Sequence, residues 1–138
     1  MLTADGTPVV GMTVRHDRLD NFWFTLLHEL VHVQKHLHKN ADSFIDDLDF
    51  EDSTDPREIE ADRGARDALI PASSRFKQSR AFRQKTPSAI RELASELQVH
   101  PAIIAGRIRH DMRNYRMLNQ LVGTRQVRSV FEGVSWPT

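Results

Sequence analysis

Apolar residues fall into short blocks along the first third of the chain. Residues 9–14 form an apolar run after a Gly-Thr-Pro turn, and this pattern predicts a β-strand. Apolar residues then surround most of the circumference of a helix that is predicted from Asp20 or Asn21 to about His38. Because a helix that is hydrophobic nearly all round is usually buried, we expect this one in the middle of the fold.

An acidic segment follows this helix. Residues 40–55 carry many aspartates and glutamates with little periodicity, which predicts a solvated loop. The pair Asp55-Pro56 then marks a new helix, because aspartate caps helix starts and proline suits the first helical position. This helix is predicted to end near Pro71.

The second half of the chain is patterned mainly as helices. Four further elements are predicted, of which the last is a short helix or a strand: residues 74–84, 87–97, 101–115 and 127–136. Together the elements predict an α+β fold, with a small β-sheet packed beside several helices. We expect residues 1–85 to form the core and residues 86–138 to form a helical subdomain packed on it.

The composition limits the classes of protein that the chain can represent. Its 138 residues suit one compact domain, and the absence of cysteine excludes disulfides and thiolate metal ligands. Residues 1–14 lack the basic start and long apolar stretch of a signal peptide. No apolar run approaches the roughly 20 residues that span a bilayer. We therefore expect a cytoplasmic protein without a membrane partner.

Charge is distributed unevenly along the sequence. The 19 basic and 19 acidic residues balance overall, yet the chain is net acidic up to Asp62 and net basic from Arg63 onward. Two interpretations stay open at this point. The basic half could bind nucleic acid or an acidic partner, or the charges of the two halves could partly neutralise each other within the fold.

The segment His28-Glu29-Leu30-Val31-His32 is an H-E-x-x-H motif. Residues four apart on a helix share a face, so His28 and His32 can present two imidazole nitrogens to one metal ion. Glu29 is rotated by roughly 100° from His28, which places it to take a proton from the attacking water. The alternative is a polar face of a surface helix, but buried histidines and a buried glutamate need partners that a metal site would supply.

Two more histidines follow the motif. His36 extends the series by one further turn, and His38 comes next. Both lie among Gln34, Lys35 and Lys39 at the polar end of the helix, where histidine also suits the negative end of the helix dipole. We therefore interpret them as residues of a solvated helix terminus and do not count them as ligands.

A hydrolytic zinc site usually has three protein ligands and a water, so a carboxylate must complete this one. The candidates are Glu58, Glu60 and Asp62. Glu58 and Asp62 share an otherwise apolar helix face, whereas Glu60 is about 160° from Glu58 and faces solvent. We assign Glu58 as the third ligand and Asp62 as the residue that fixes His28 or His32 through its second ring nitrogen. The alternative for Glu58 is a capping box at the start of its helix.

Residues 20–32, together with residues 58–62 and 69–71, resemble the ImmA/IrrE metallopeptidases, which are gluzincin-type proteins of bacteria and phages. The resemblance covers residues 9–71 well and the later helices less specifically. It implies a zincin-like metallopeptidase core within residues 1–85. It implies that the first glutamate of the E-x-x-A-(N/D) run, Glu58, is the third zinc ligand. The family pattern usually continues with Phe-Ala, whereas Gly64-Ala65 stands here, and we expect this to change packing and not the ligands.

The resemblance implies zinc-dependent hydrolysis of a peptide bond in a protein partner such as a helix-turn-helix repressor. Members of the family often occur fused to such repressors or encoded beside them, and some cleave them. Zinc would polarise the scissile carbonyl, while Glu29 would accept a proton from water and pass it to the leaving amine. The alternative is a non-catalytic, antitoxin-like regulatory domain that keeps zinc for structure or sensing. The intact Glu29 favours the enzyme, because a structural zinc needs no general base.

The basic half contains two helices with the proportions of a helix-turn-helix. Arginines that could meet DNA phosphates follow on the second one: Arg107, Arg109, Arg113 and Arg116. We favour a helical subdomain or a protein-binding surface over this interpretation, because pairs of helices are common in proteins that never touch DNA. DNA binding by this chain is therefore not expected.

Overall fold

The computed structural model describes residues 2–36, 55–131 and 133–135. Within them lie five α-helices: α1 (Leu19–Lys35), α2 (Pro56–Leu69), α3 (Arg80–Gln84), α4 (Pro87–Leu97) and α5 (Pro101–Asp111). Three single turns of 3₁₀ helix accompany them at Ala72–Ser74, Phe76–Gln78 and Arg128–Val130. The predicted acidic loop lies almost wholly outside the described residues.

The predicted α+β class is wrong, because the described part of the chain is helical and contains no β-sheet. Residues 9–14 have no regular secondary structure and form no ladder with another described segment. Pairing is limited to two isolated antiparallel bridges, Leu2 with Pro8 and Arg18 with Thr124. A strand needs a partner for its backbone N–H and C=O groups, and local hydrophobic pattern does not supply one.

Helix starts follow the predicted capping signals. The side chain of Asp55 accepts a hydrogen bond from the Arg57 N–H and caps α2, with Pro56 at its first turn. The hydroxyl of Thr86 accepts from the Ala89 N–H in the same way at α4. Both predicted helices therefore begin where the sequence placed them. By contrast, α5 ends at Asp111 and does not continue to Tyr115, and the predicted basic helix of residues 74–84 is regular only over α3.

The chain divides into two compact units. The first comprises residues 1–12 and 24–71 and holds most of α1 together with α2. The two helices approach closely where Gly64 faces Val31, because a Cβ at Gly64 would lie 2.7 Å from the Val31 Cγ2. Ala61 and Ala65, both fully buried, continue this small-residue face of α2. Small side chains on one helix thus allow a close packing of the pair that carries the candidate site.

The second unit comprises residues 13–23 and 72–138 and contains α3, α4 and α5. Its core is aliphatic, with Ile90 of α4 and Ile104 and Ile108 of α5 fully buried. The carboxylate of Asp17 accepts backbone hydrogen bonds from Val127 and Arg128, at 3.0 and 2.9 Å, and so holds two distant parts of this unit together. The proposed division of the chain at residue 85 stays a prediction.

The helix α1 differs from the predicted, uniformly buried element. Its buried residues are the polar ones, namely Thr25, His28, Glu29 and His32, whereas Trp23 is 41% and Leu30 44% exposed. None of the helices in the described ranges is long and apolar enough to cross a membrane.

Candidate metal centre

The two histidines of the H-E-x-x-H motif meet on one face of α1. The Nε2 atoms of His28 and His32 lie 3.2 Å apart, and their rings are 4.8 Å apart. Residues four apart on a helix stack one above the other, which explains this convergence from local geometry alone. Both side chains are almost completely buried. Phe24, one turn before His28, packs its ring 6.0 Å from the His28 ring.

Glu58 reaches the same point from α2. One carboxylate oxygen lies 3.1 Å from the His28 Nε2, and the other lies 3.0 Å from the His32 Nε2. The capped start of α2 at Asp55 and Pro56 fixes Glu58 in the first turn of that helix. The Glu58 side chain is 23% exposed, so the cluster has one side near solvent.

These three residues fit a zinc ion. Each offers one ligand atom, and the ligand atoms all lie within 4.8 Å of one another. Ligand atoms at about 2.0–2.1 Å in a tetrahedral arrangement are roughly 3.3 Å apart. The two Nε2 atoms are 3.2 Å apart, and each lies 3.0–3.1 Å from a different oxygen of Glu58, so all three separations are close to that spacing. Two imidazoles and one carboxylate also leave a fourth position for water, which is the donor set of catalytic zinc sites.

Asp62 lies behind the first of the two histidines. Its Oδ1 is 2.7 Å from the His28 Nδ1, the ring nitrogen that points away from the cluster. A carboxylate this close favours the tautomer of His28 that carries its proton on Nδ1, and in that tautomer the Nε2 lone pair is available to a metal. Arg66, one turn further along α2, places its guanidinium 3.8 Å from the other Asp62 oxygen. The structure brings Asp62 to His28, and the role assigned to Asp62 stays a prediction.

Glu29 follows His28 directly and is 9% exposed. Its position on α1 is one residue, or roughly 100°, away from the histidine face. A carboxylate at the edge of a metal-binding face is available as a proton acceptor and is not required as a ligand. Its catalytic role stays a prediction.

A profile of the IrrE N-terminal-like domain, a peptidase family, matches residues 3–109, which is most of the chain. The chain belongs to this family. No curated protein and no solved structure gave a significant match. The family is one of zinc metallopeptidases, and the three residues of this chain that could form a metal site lie on α1 and α2, inside the matched region. The family match supplies no substrate and no partner.

Two residues that the sequence analysis set aside, His36 and Glu60, lie beside the histidine cluster of this IrrE-like domain. The His36 side chain is only 7% exposed, so it is not the solvated residue that was expected, whereas His38 lies outside the described residues. Its Nδ1 lies 2.7 Å from the His32 Nδ1, and its Nε2 lies 2.9 Å from Glu60. The signal that could have found His36 is the repeat of histidine at every fourth position, which continues the face of His28 and His32.

The predicted helix-turn-helix proportions are present in α4 and α5, but α5 serves as a core helix of the second unit. Arg109 is 4% exposed and donates to the Tyr115 carbonyl, and burial lowers the pKa of its guanidinium. Arg107 pairs with Asp111 at 3.0 Å and lies over the Phe76 ring. Two of the four arginines considered for phosphate contact are thus engaged within the unit. The preference for a helical subdomain or a protein-binding surface over DNA binding stays a prediction.

Proposed function

We propose that this chain is a zinc metallopeptidase that hydrolyses a peptide bond in a protein partner. The observation that carries the proposal is the convergence of the His28, His32 and Glu58 ligand atoms within one small cluster, with the buried Glu29 beside it, in a member of a peptidase family. A site that served only to hold structure together would need the ligands and would not need Glu29.

The residues around the cluster have distinct roles in this proposal. A zinc ion held by His28, His32 and Glu58 would supply a Lewis acid that polarises the scissile carbonyl and acidifies water. Glu29 takes a proton from the water whose oxygen attacks the carbonyl carbon. When the carbon–nitrogen bond breaks, Glu29 returns that proton to the leaving amine. Asp62 holds the His28 ring in the orientation and tautomer that ligation requires.

The substrate that we propose is a protein partner, specifically a helix-turn-helix repressor encoded beside this protein. What supports a protein partner is the resemblance of residues 20–32, 58–62 and 69–71 to peptidases of which some act on such repressors. A partner of this kind would be recognised through a folded surface, so the enzyme need not cleave generic peptides.

The test uses Glu29→Gln, which keeps the size and hydrogen-bonding capacity of the side chain but removes the base. Cleavage of the neighbouring repressor by the purified full chain should fall by at least about 10²-fold, the low end for a positioned general base. Zinc content should stay at about one per chain, because three ligands remain. The two measurements are fragment detection by mass spectrometry and elemental analysis.

A matched control is Glu96→Gln, which makes the same chemical change at an exposed position on α4. Cleavage by this variant should equal that of the wild type. If neither the wild type nor Glu29→Gln cleaves the repressor, and both support the same regulation in cells, the peptidase proposal fails. The zinc-bearing regulatory domain would then be the better account.

A further inference from the structure

A histidine that does not belong to the H-E-x-x-H motif lies directly behind it. The Nδ1 of His36 is 2.7 Å from the Nδ1 of His32, and its Nε2 is 2.9 Å from the Glu60 Oε2. Both ring nitrogens of a side chain that is only 7% exposed thus face specific polar atoms. Buried polar groups are normally paired, and this one has a partner at each end.

His36 is not a candidate for a fourth ligand. It meets His32 at Nδ1, whereas the cluster with His28 and Glu58 is built from the His32 Nε2. The two nitrogens lie on different edges of the imidazole ring, so His36 stands on the side away from the cluster. Its effect on a metal would be exerted through His32.

The positions of the protons on His32 and His36 follow from metal ligation by His32. A neutral histidine that gives its Nε2 lone pair to a metal carries its proton on Nδ1. The His32 Nδ1–H must then donate to the His36 Nδ1, which acts as the acceptor. The remaining His36 proton is therefore on Nε2, where it donates to the Glu60 carboxylate. The His32–His36 contact and the His36–Glu60 contact then each have one donor and one acceptor, which is consistent with metal ligation by His32.

We propose that His36 and Glu60 form a row of hydrogen bonds that positions His32 for metal binding. The inference rests on the proposed zinc site and extends it beyond the ligands. It gives each metal-binding histidine a carboxylate on α2: Asp62 reaches the His28 Nδ1 directly, and Glu60 reaches His32 through His36. Such outer contacts fix ring orientation and raise the basicity of the ligand nitrogen.

Glu60 is itself held from the other side. Its second oxygen lies 3.0 Å from the Lys35 ammonium, while Oε2 faces His36. The Lys35 and Glu60 side chains are 50% and 46% exposed, so this ion pair is solvated and contributes little. The contact that matters for the metal is accordingly the buried one between the two histidines.

The test compares substitutions at His36 by their zinc affinity, measured on the full chain by competition with a chromophoric chelator. His36→Phe keeps a ring of similar size but removes the acceptor, and it should weaken zinc binding about 10-fold, the lower end for loss of an outer partner. His36→Asn places an amide oxygen near the position of Nδ1, so it should recover most of the affinity. Lys35→Gln removes only the solvated partner of Glu60 and should bind zinc like the wild type.

Nuclear magnetic resonance of the zinc-loaded wild type gives an independent readout, because imidazole nitrogen shifts report the tautomer. His36 should carry its proton on Nε2 and His32 on Nδ1. A proton on the His36 Nδ1, or wild-type zinc affinity in His36→Phe, would overturn the proposed row while leaving the peptidase proposal standing. Absence of zinc binding by the wild type would overturn both. Absence of repressor cleavage by a wild type that binds zinc normally would count against the peptidase proposal alone.

Discussion

Among single residues, Asp55 decides where α2 begins and therefore where Glu58 lies. Its carboxylate accepts a hydrogen bond from the Arg57 backbone N–H at 2.8 Å. That bond, followed by the hydrogen bond from the Arg57 side chain, lowers the pKa of Asp55 below its ordinary value of 3.8. The ionised form is thus favoured in the folded state, because it caps the positive end of the helix.

The lowered pKa of Asp55 makes its capping contribution sensitive to acid. A carboxyl group with a depressed folded-state pKa stabilises the fold above its unfolded-state pKa and loses this contribution as pH falls through the folded-state pKa. In Asp55→Asn the side chain can still cap but cannot titrate. The wild type should therefore lose its advantage over Asp55→Asn as pH falls below about 4. Urea unfolding of both proteins across that pH range measures the difference.

Asp67→Asn is the matched control for this comparison, since Asp67 is an exposed residue of the same helix that lies far from its capped end. If Asp55→Asn and Asp67→Asn change the acid dependence of unfolding equally, the helix cap is not responsible.

Among elements, the crossing of α1 and α2 sets the distance between the histidines and Glu58. The close point is Gly64 against Val31, where an added Cβ would lie 2.7 Å from a methyl carbon. Valine has a stiff side chain on a helix and cannot easily move away. Gly64 therefore leaves room for the β-branched side chain opposite it.

Gly64→Ala tests the crossing. Alanine improves helix propensity by about 1 kcal/mol, but overpacking costs about 1–3 kcal/mol, so the substitution alone should destabilise by about 1 kcal/mol. In a Val31→Ala background the space is open, and the same change should stabilise by up to about 1 kcal/mol. The four proteins of this cycle are compared by urea unfolding. Equal effects of Gly64→Ala in both backgrounds would show that the two residues do not interact.

Across the whole molecule, the candidate metal site belongs to one of the two units. Its ligands His28, His32 and Glu58 all lie in the unit formed by residues 1–12 and 24–71, where two helices supply every ligand. A metal that binds only the folded state stabilises it in proportion to the logarithm of its concentration. Zinc is therefore expected to contribute to the stability of this unit and not only to its chemistry.

Removal of zinc should lower the thermal midpoint of the full chain. At free zinc about 1,000 times its dissociation constant, the stabilisation is about 4 kcal/mol, which a chelator would abolish. Added zinc should restore the midpoint, whereas chelator already saturated with zinc should have no effect. Glu58→Ala should lose most of the zinc-dependent shift in a calorimetric scan. A full shift in Glu58→Ala would exclude Glu58 as a ligand.

Features that depend on local spacing were determined by the sequence itself. The caps at Asp55 and Thr86 placed two helix starts correctly, because capping involves residues only two or three positions apart. The four-residue spacing of His28 and His32 likewise indicated that their ring nitrogens would meet, since both lie on one helix.

Features that depend on partners distant in sequence were decided only by the tertiary structure. The strand expected at residues 9–14 has no pairing segment among the described residues, and pairing is not encoded in a local apolar run. His36 looked solvated at a polar helix end, yet its side chain is only 7% exposed and its Nε2 lies 2.9 Å from Glu60 of α2. Glu60 itself lies on the more exposed side of α2, but its long side chain reaches back to His36, which a helical projection of Cβ directions does not show.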